Sequence, residues 1–182
     1  GAAIMACDYC LDQSILVVTT ASGRAVWRRA WRQWTPFPRT VQVMLDARPA
    51  KADVVIVGWA QIAEPKMRAE LTGRRWDRLI LDESHYAKDF SAKRTQAVYG
   101  TLWREGDVLQ GSAPGTLAAV AAGVWPLTGT PLPNSPFDVY PMLRALWPER
   151  LKADESKGWP DVTREEAFKR RYCVVGQKKI SN

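Results

Sequence analysis

The chain has 182 residues, 46% hydrophobic and 25% charged, which is enough for one globular domain with a substantial core. No stretch approaches the roughly 18 consecutive apolar residues of a membrane span, and the opening GAAIMACDYCLDQ lacks the basic start and apolar run of a signal peptide; these features argue against membrane and secreted classes, and a cytoplasmic or nuclear setting is expected. The formal net charge of +7, from 26 Lys and Arg against 19 Asp and Glu, favours a polyanionic partner.

Short apolar runs alternate with helical patterns along the chain, which predicts an α/β fold with a mainly parallel sheet and helices on both faces. A helix is expected over Ala2 to Leu11, followed by a strand over Ile15 to Thr20. The segment Arg24 to Trp34 reads as a two-faced helix, with Trp27, Trp31 and Trp34 on one face and Arg24, Arg28 and Arg32 on the adjacent stripe. Packing of the tryptophan face on the sheet is the preferred reading over base stacking, while the arginines fit either a solvated face or a phosphate-facing one. Strands over Val41 to Leu45 and Val54 to Trp59 come next, then a helix over Gln61 to Leu71 and a strand over Leu79 to Asp82. A helix over Ser91 to Trp103 precedes residues 104–123, whose Gly, Ser and Pro content marks a loop running into a small Ala-rich helix, together read as an insertion. A strand over Val124 to Thr128 and a helix over Pro136 to Trp147 complete the pattern.

The three cysteines, Cys7, Cys10 and Cys173, are too few and too unevenly spaced for a disulfide framework. Cys7 and Cys10 have the C-x-x-C spacing, but only Cys173 and the single histidine, His85, could complete a zinc site, so two small helix residues are the preferred reading.

The strongest chemical signal is RLILDESH, residues 78–85, where an apolar strand delivers Asp82 and Glu83 and then His85. Ligands of open α/β sheets bind at the carboxyl ends of the strands, so acids there face a crevice. Such a pair suits nucleotide hydrolysis, with one carboxylate on Mg²⁺ and the next orienting the attacking water. An exposed helix-capping Asp-Glu pair is the competing reading of these residues alone. A second signal, LTGTPLPN at residues 127–134, ends a strand in two hydroxyls and a glycine, although by itself it reads as a generic turn.

Taken together and in this order, DESH and LTGTP resemble motifs II and III of the superfamily-two helicase-like ATPases, in particular the Swi/Snf-type translocases of double-stranded DNA. ILVVTTASGRAVWRRAWRQW looks like the motif Ia strand and its Trp-bearing helix, VVIVGWAQIA like the next family strand, and HYAKDFSAKRTQAVYG like the segment after the acids. FDVYPMLRALWPE and FKRRYC are similar to later family segments. The resemblance covers almost the whole chain and is weakest over residues 106–115.

The resemblance implies a RecA-like three-layer α/β/α sandwich, residues 1–182 forming part of an N-terminal motor lobe with motifs Ia, Ib, II and III, and the cofactors ATP and Mg²⁺. Asp82 would take part in Mg²⁺ binding and Glu83 would activate water. His85, Thr128, Gly129 and Thr130 would couple hydrolysis to movement, and Ser22, Arg24, Lys93 and Arg94 would contact nucleic acid. Thr20 departs from the family, which usually has Pro there.

No Gly-Lys dipeptide occurs, so the family's G-x-x-x-x-G-K-[ST] phosphate loop is absent. GAAIMAC looks like the helix that follows that loop. The expectation is therefore a chain that begins after motif I, lacks its second RecA-like lobe, and does not hydrolyse ATP by itself. The function expected of the parent is ATP-dependent translocation on double-stranded DNA. The alternatives are a non-catalytic nucleic-acid-binding module of the same fold, and an RNA helicase or restriction-enzyme motor lobe.

Overall fold

The computed structural model describes residues 1–101, 104–105, 108–130 and 132–173. The helices are α1 (Ala2–Tyr9), α2 (Gly23–Trp34), α3 (Pro65–Thr72), α4 (Lys93–Tyr99), α5 (Tyr140–Leu146) and α6 (Glu165–Tyr172). The strands are β1 (Ile15–Thr19), β2 (Val41–Met44), β3 (Val54–Gly58), β4 (Trp76–Asp82), β5 (Arg104–Glu105), β6 (Val108–Leu109) and β7 (Ala121–Leu127).

Five strands form one sheet in the order β2-β3-β1-β4-β7, and every pairing is parallel. β1 and β3 are buried along their whole length, which is why their sequences, ILVVT and VVIVG, run apolar without alternation. Successive side chains point to opposite faces, and the core divides accordingly. Ile15, Val17, Val54, Ile56 and Ile80 join Ile4 and Cys7 of α1 and Trp31 of α2 on one face. Leu16, Val18, Val55, Val57, Leu79 and Leu81 join residues of α3, α4 and α5 on the other. This is the three-layer α/β/α arrangement expected from the sequence. A satellite cluster of Tyr140, Leu151, Val162 and Phe168 closes the carboxyl-terminal part.

Several boundaries differ from expectation, each for a local reason. The run 61–71 is split into a 3₁₀ turn at Gln61–Ala63 and α3, because Pro65 has no N–H to continue a helix and instead starts one. The run 136–147 likewise opens as a 3₁₀ turn, Pro136–Val139, before α5. α4 occupies only Lys93–Tyr99 and stops at Gly100, whose φ of +76° suits glycine; Trp103 lies outside the described residues. The Ala-rich stretch is not an α-helix: Ala118–Val120 make a 3₁₀ turn, and from Ala121 the chain pairs with β4. Within 104–123, β5 and β6 form a short antiparallel pair, and Gly106 and Asp107 lie outside the described residues.

At the opposite end of the sheet from the acids, two buried ion pairs tie helix to sheet. Arg39 holds Asp8 at 2.8 Å, and Arg78 grips Asp12 through two hydrogen bonds of 2.8 and 3.0 Å. No helix among the described residues is long and apolar enough to cross a membrane.

Candidate functional site

Parallel register sets the site. Val18 lies beside Leu81 and Asp82 lies beside Leu127, so Thr19, Asp82 and Thr128 fall in a row along the carboxyl rim of three neighbouring strands. The predicted acids therefore lie at a strand end, Asp82 closing β4 and Glu83 opening the turn that follows.

Asp82 is held by both layers. Its Oδ2 accepts a hydrogen bond from the Thr19 hydroxyl at 2.6 Å and another from the Trp27 indole N–H at 2.9 Å. Its backbone carbonyl accepts the Trp59 indole N–H at 2.8 Å. Trp27 comes from α2 on one face of the sheet, whereas Trp59 packs in the core of the other. α2 can approach this closely because residue 23 is glycine: a Cβ there would overlap the Thr19 hydroxyl. Thr20 adds a local cap, its hydroxyl accepting the Gly23 N–H at 3.1 Å, a bond that proline could not supply.

The chain turns sharply after Asp82. Glu83 adopts a left-handed conformation, φ 53° and ψ 50°, which costs a non-glycine residue on the order of 1 kcal/mol or more. A 3₁₀ turn, Ser84–Ala87, follows and brings His85 back under the acid. His85 Nδ1 lies 3.2 Å from Glu83 Oε2 and 3.1 Å from Thr128 Oγ1. Thr128 Oγ1 accepts the Thr130 N–H at 3.1 Å. Thus Glu83, His85, Thr128 and Thr130 form one connected set. Gly129 is exposed between the two threonines, with open space around the position a Cβ would take.

The four residues expected to contact nucleic acid fall into two groups. Ser22 and Arg24 lie at the start of α2, and Lys93 and Arg94 at the start of α4, on the opposite face of the sheet. Arg94 donates from Nε to the Tyr86 carbonyl at 2.6 Å and stacks over the Tyr86 ring, so it braces the turn after the acids. Arg24 lines an open groove of about 730 Å³ with Arg28, Arg29 and Arg32, above Val43 and Leu45. None of these four arginines has an ion-pair partner among the described residues.

The tryptophan face of α2 is not uniform. Trp31 is fully buried and Trp27 reaches Asp82, but Trp34 is 48% exposed beside Gly1. Thr19, Trp27 and Trp59 are the site residues that sequence reasoning did not assign to the acids. The available signal was the proximity of strand ends: Thr19 closes β1, Trp59 follows β3, and Trp27 sits one helical turn inside the helix after β1.

The arrangement suits a hard cation. The side-chain hydrogen bonds to Asp82 fall on Oδ2, leaving Oδ1 without a protein donor among the described residues. No group of three or more potential metal-ligating side chains occurs among the described residues. Mg²⁺ needs no such cage, because it keeps water and is typically held by one or two carboxylates together with phosphate oxygens.

No family model matches the chain. Over 146 residues, 79% of its length, it is 26% identical to the SWI/SNF-related matrix-associated actin-dependent regulator of chromatin subfamily A-like protein 1 of Xenopus tropicalis, of which it spans 14%. The Sulfolobus solfataricus SWI2/SNF2 ATPase core in complex with dsDNA superposes with a TM-score of 0.62 at 18% identity, covering 88% of this chain and 28% of that one. A nuclease-deletion mutant of the Type ISP restriction-modification enzyme LlaGI, in complex with a DNA substrate mimic, gives a TM-score of 0.41 at 14% identity over 65% of this chain and 11% of its own. The resemblance to Swi/Snf-type helicase-like ATPases thus holds in sequence and in fold.

Proposed function

We infer that this chain, Swi/Snf-like in sequence and in fold, acts as part of the first motor lobe of an ATP-driven translocase on double-stranded DNA. The observation that carries the reading is the strand-end carboxylate pair. Asp82 is pinned through one oxygen and open at the other, and Glu83 is held in a strained turn beside it. Asp82 Oδ1 is the atom that would hold Mg²⁺, and Mg²⁺, when bound with ATP, supplies neutralising charge on the phosphate oxygens. Glu83 would orient and deprotonate the attacking water, its carboxylate steadied by His85. Thr128 and Thr130 link that histidine to the end of β7, a route by which displacement of the strand end alters the position of Glu83. Ser22, Arg24, Lys93 and Arg94 would face nucleic acid, and the unpaired arginines of α2 support a phosphodiester partner.

The test uses the full-length protein carrying this chain. DNA-stimulated phosphate release from ATP is expected in the parent and should vanish in Glu83→Gln, whose amide cannot accept the water's proton. Turnover that persists in that variant would sink the assignment. The isolated 182-residue chain, which has no Gly-Lys phosphate loop, is expected to be inactive, because that loop's backbone amides and Lys cradle the β and γ phosphates for transfer.

A further inference from the structure

We propose that Trp27 is a positioning residue for the Mg²⁺-binding carboxylate: its indole N–H holds Asp82 Oδ2 so that Oδ1 alone is presented to the cation. The inference rests on the reading of Asp82 as the Mg²⁺ ligand and extends it to a residue on a different element.

The geometry is specific. A carboxylate on a strand end can rotate about χ2, and one hydrogen bond leaves that rotation loosely restrained. Asp82 Oδ2 has two donors from different directions, the Thr19 hydroxyl at 2.6 Å from the neighbouring strand and the Trp27 indole at 2.9 Å from the helix above it. Together they fix the carboxylate plane. An indole has a single donor and no acceptor, so it cannot turn over and compete for the cation as a hydroxyl or amide could. Trp27 is itself restrained, being packed with Ala30, Val41 and Val43 against the core that contains Trp31. Its donor is therefore delivered by a packed aromatic ring rather than by a long flexible side chain.

Outer-shell partners of this kind typically set metal affinity by about 10- to 100-fold. Removing the indole N–H leaves Thr19 as the only donor to Oδ2 among the described residues and frees the plane to rotate. The expected effect is a loss of Mg²⁺ affinity, with the reaction still able to proceed when the cation is abundant.

Two measurements test this. In the full-length protein, Trp27→Phe should raise the Mg²⁺ concentration for half-maximal ATP turnover by about 10-fold, with the maximal rate largely recovered at high Mg²⁺. A role in packing alone would lower the stability or the maximal rate and leave the Mg²⁺ requirement in place. In the 182-residue chain, the indole ¹H–¹⁵N resonance of Trp27, identified by its loss in Trp27→Phe, should move upfield in Asp82→Ala, whereas that of buried Trp31 should not. A Trp27 resonance unmoved by Asp82→Ala overturns the proposal, and this readout stands even if Trp27→Phe proves unstable in the full-length protein. An active Glu83→Gln enzyme would refute the ATPase reading itself. An inactive Glu83→Gln enzyme combined with an unchanged Mg²⁺ requirement in Trp27→Phe would refute this proposal alone.

Discussion

Gly123 should not tolerate alanine, although alanine is the better residue for a strand. A Cβ at position 123 would overlap Arg78 Nη1, and ordinary contact needs at least 3.4 Å. The guanidinium cannot simply swing aside, since it is bonded to Asp12 at 2.8 and 3.0 Å and lies 4.2 Å over the Trp125 ring. The Asp12 and Arg78 side chains are only 6% and 17% exposed, so a displaced Arg78 leaves a largely buried carboxylate without its partner. Deleting one member of a buried pair costs about 3–5 kcal/mol; here the partner is moved rather than deleted, and about 2–3 kcal/mol is the better figure. Replacing glycine in a strand returns about 0.5–1 kcal/mol, so the clash wins by about 2 kcal/mol. At about 2–4 °C per kcal/mol for a chain of this length, Gly123→Ala should lower Tm by roughly 4–8 °C. In an Arg78→Met background there is no guanidinium to displace, and the same change should be neutral or slightly stabilising. Urea or thermal unfolding of the four proteins measures the cycle. If Gly123→Ala alone matches the parent in stability, the reasoning fails.

Two further outcomes follow from the amino-terminal helix. Leu11 ends α1 in a left-handed conformation, φ 59°, with Leu11 N–H bonded to the Asp8 carbonyl and Asp12 N–H to the Cys7 carbonyl, a helix stop that favours glycine. Because Leu11 is 70% exposed, Leu11→Gly should gain about 1 kcal/mol from strain relief with little lost packing, and an unchanged or lower unfolding midpoint would count against it. Burial, followed by the charge and hydrogen bond of Asp12, pushes the Cys7 thiol up to about 12. A raised thiol pKa keeps the group protonated until pH nears that value, so at pH 8 a disulfide reagent should label exposed Cys10 and spare Cys7 until the protein unfolds, as read by peptide mass spectrometry. Equal labelling of the two in the native state would contradict the burial argument.

What the sequence makes legible depends on how local the cause is. β1 and β3 are recognisable because unbroken apolar runs suit strands covered on both faces, and the acids could be placed at a strand end because Leu79, Ile80 and Leu81 of β4 run apolar up to Asp82. The start of α3 was also written locally, in Pro65, but the helical periodicity around it obscured the break. Residues 118–123 mislead for the opposite reason. Alanine favours helix, yet pairing of Ala121 with Trp76 overrides propensity from outside the segment. The Trp27–Asp82 bond was beyond local reading altogether. It links residues 55 apart in sequence and depends on β1 and β4 being neighbours, so a helical tryptophan stripe pointed only to packing. The left-handed turn at Glu83 is equally silent, since glutamate carries no preference for it.

On the proposed reading, the held acids also determine what a nucleotide must bring. Asp82 and Glu83 have no Lys or Arg ion-pair partner among the described residues, and the hydrogen bonds on Asp82 come from neutral groups, a hydroxyl and two indoles. Such donors orient a carboxylate without cancelling its charge. On the proposed reading, this acid pair favours cations over phosphate, and a triphosphate approaches it only with positive charge, as bound Mg²⁺ or as basic groups beyond these contacts. Here the strained Glu83 backbone and the charged, half-open Asp82 are kept by Thr19, Trp27, Trp59 and His85, each from a different segment of the chain. On the proposed ATPase reading, this braced strand end is preorganised, with its charge left uncompensated for the ligand to satisfy.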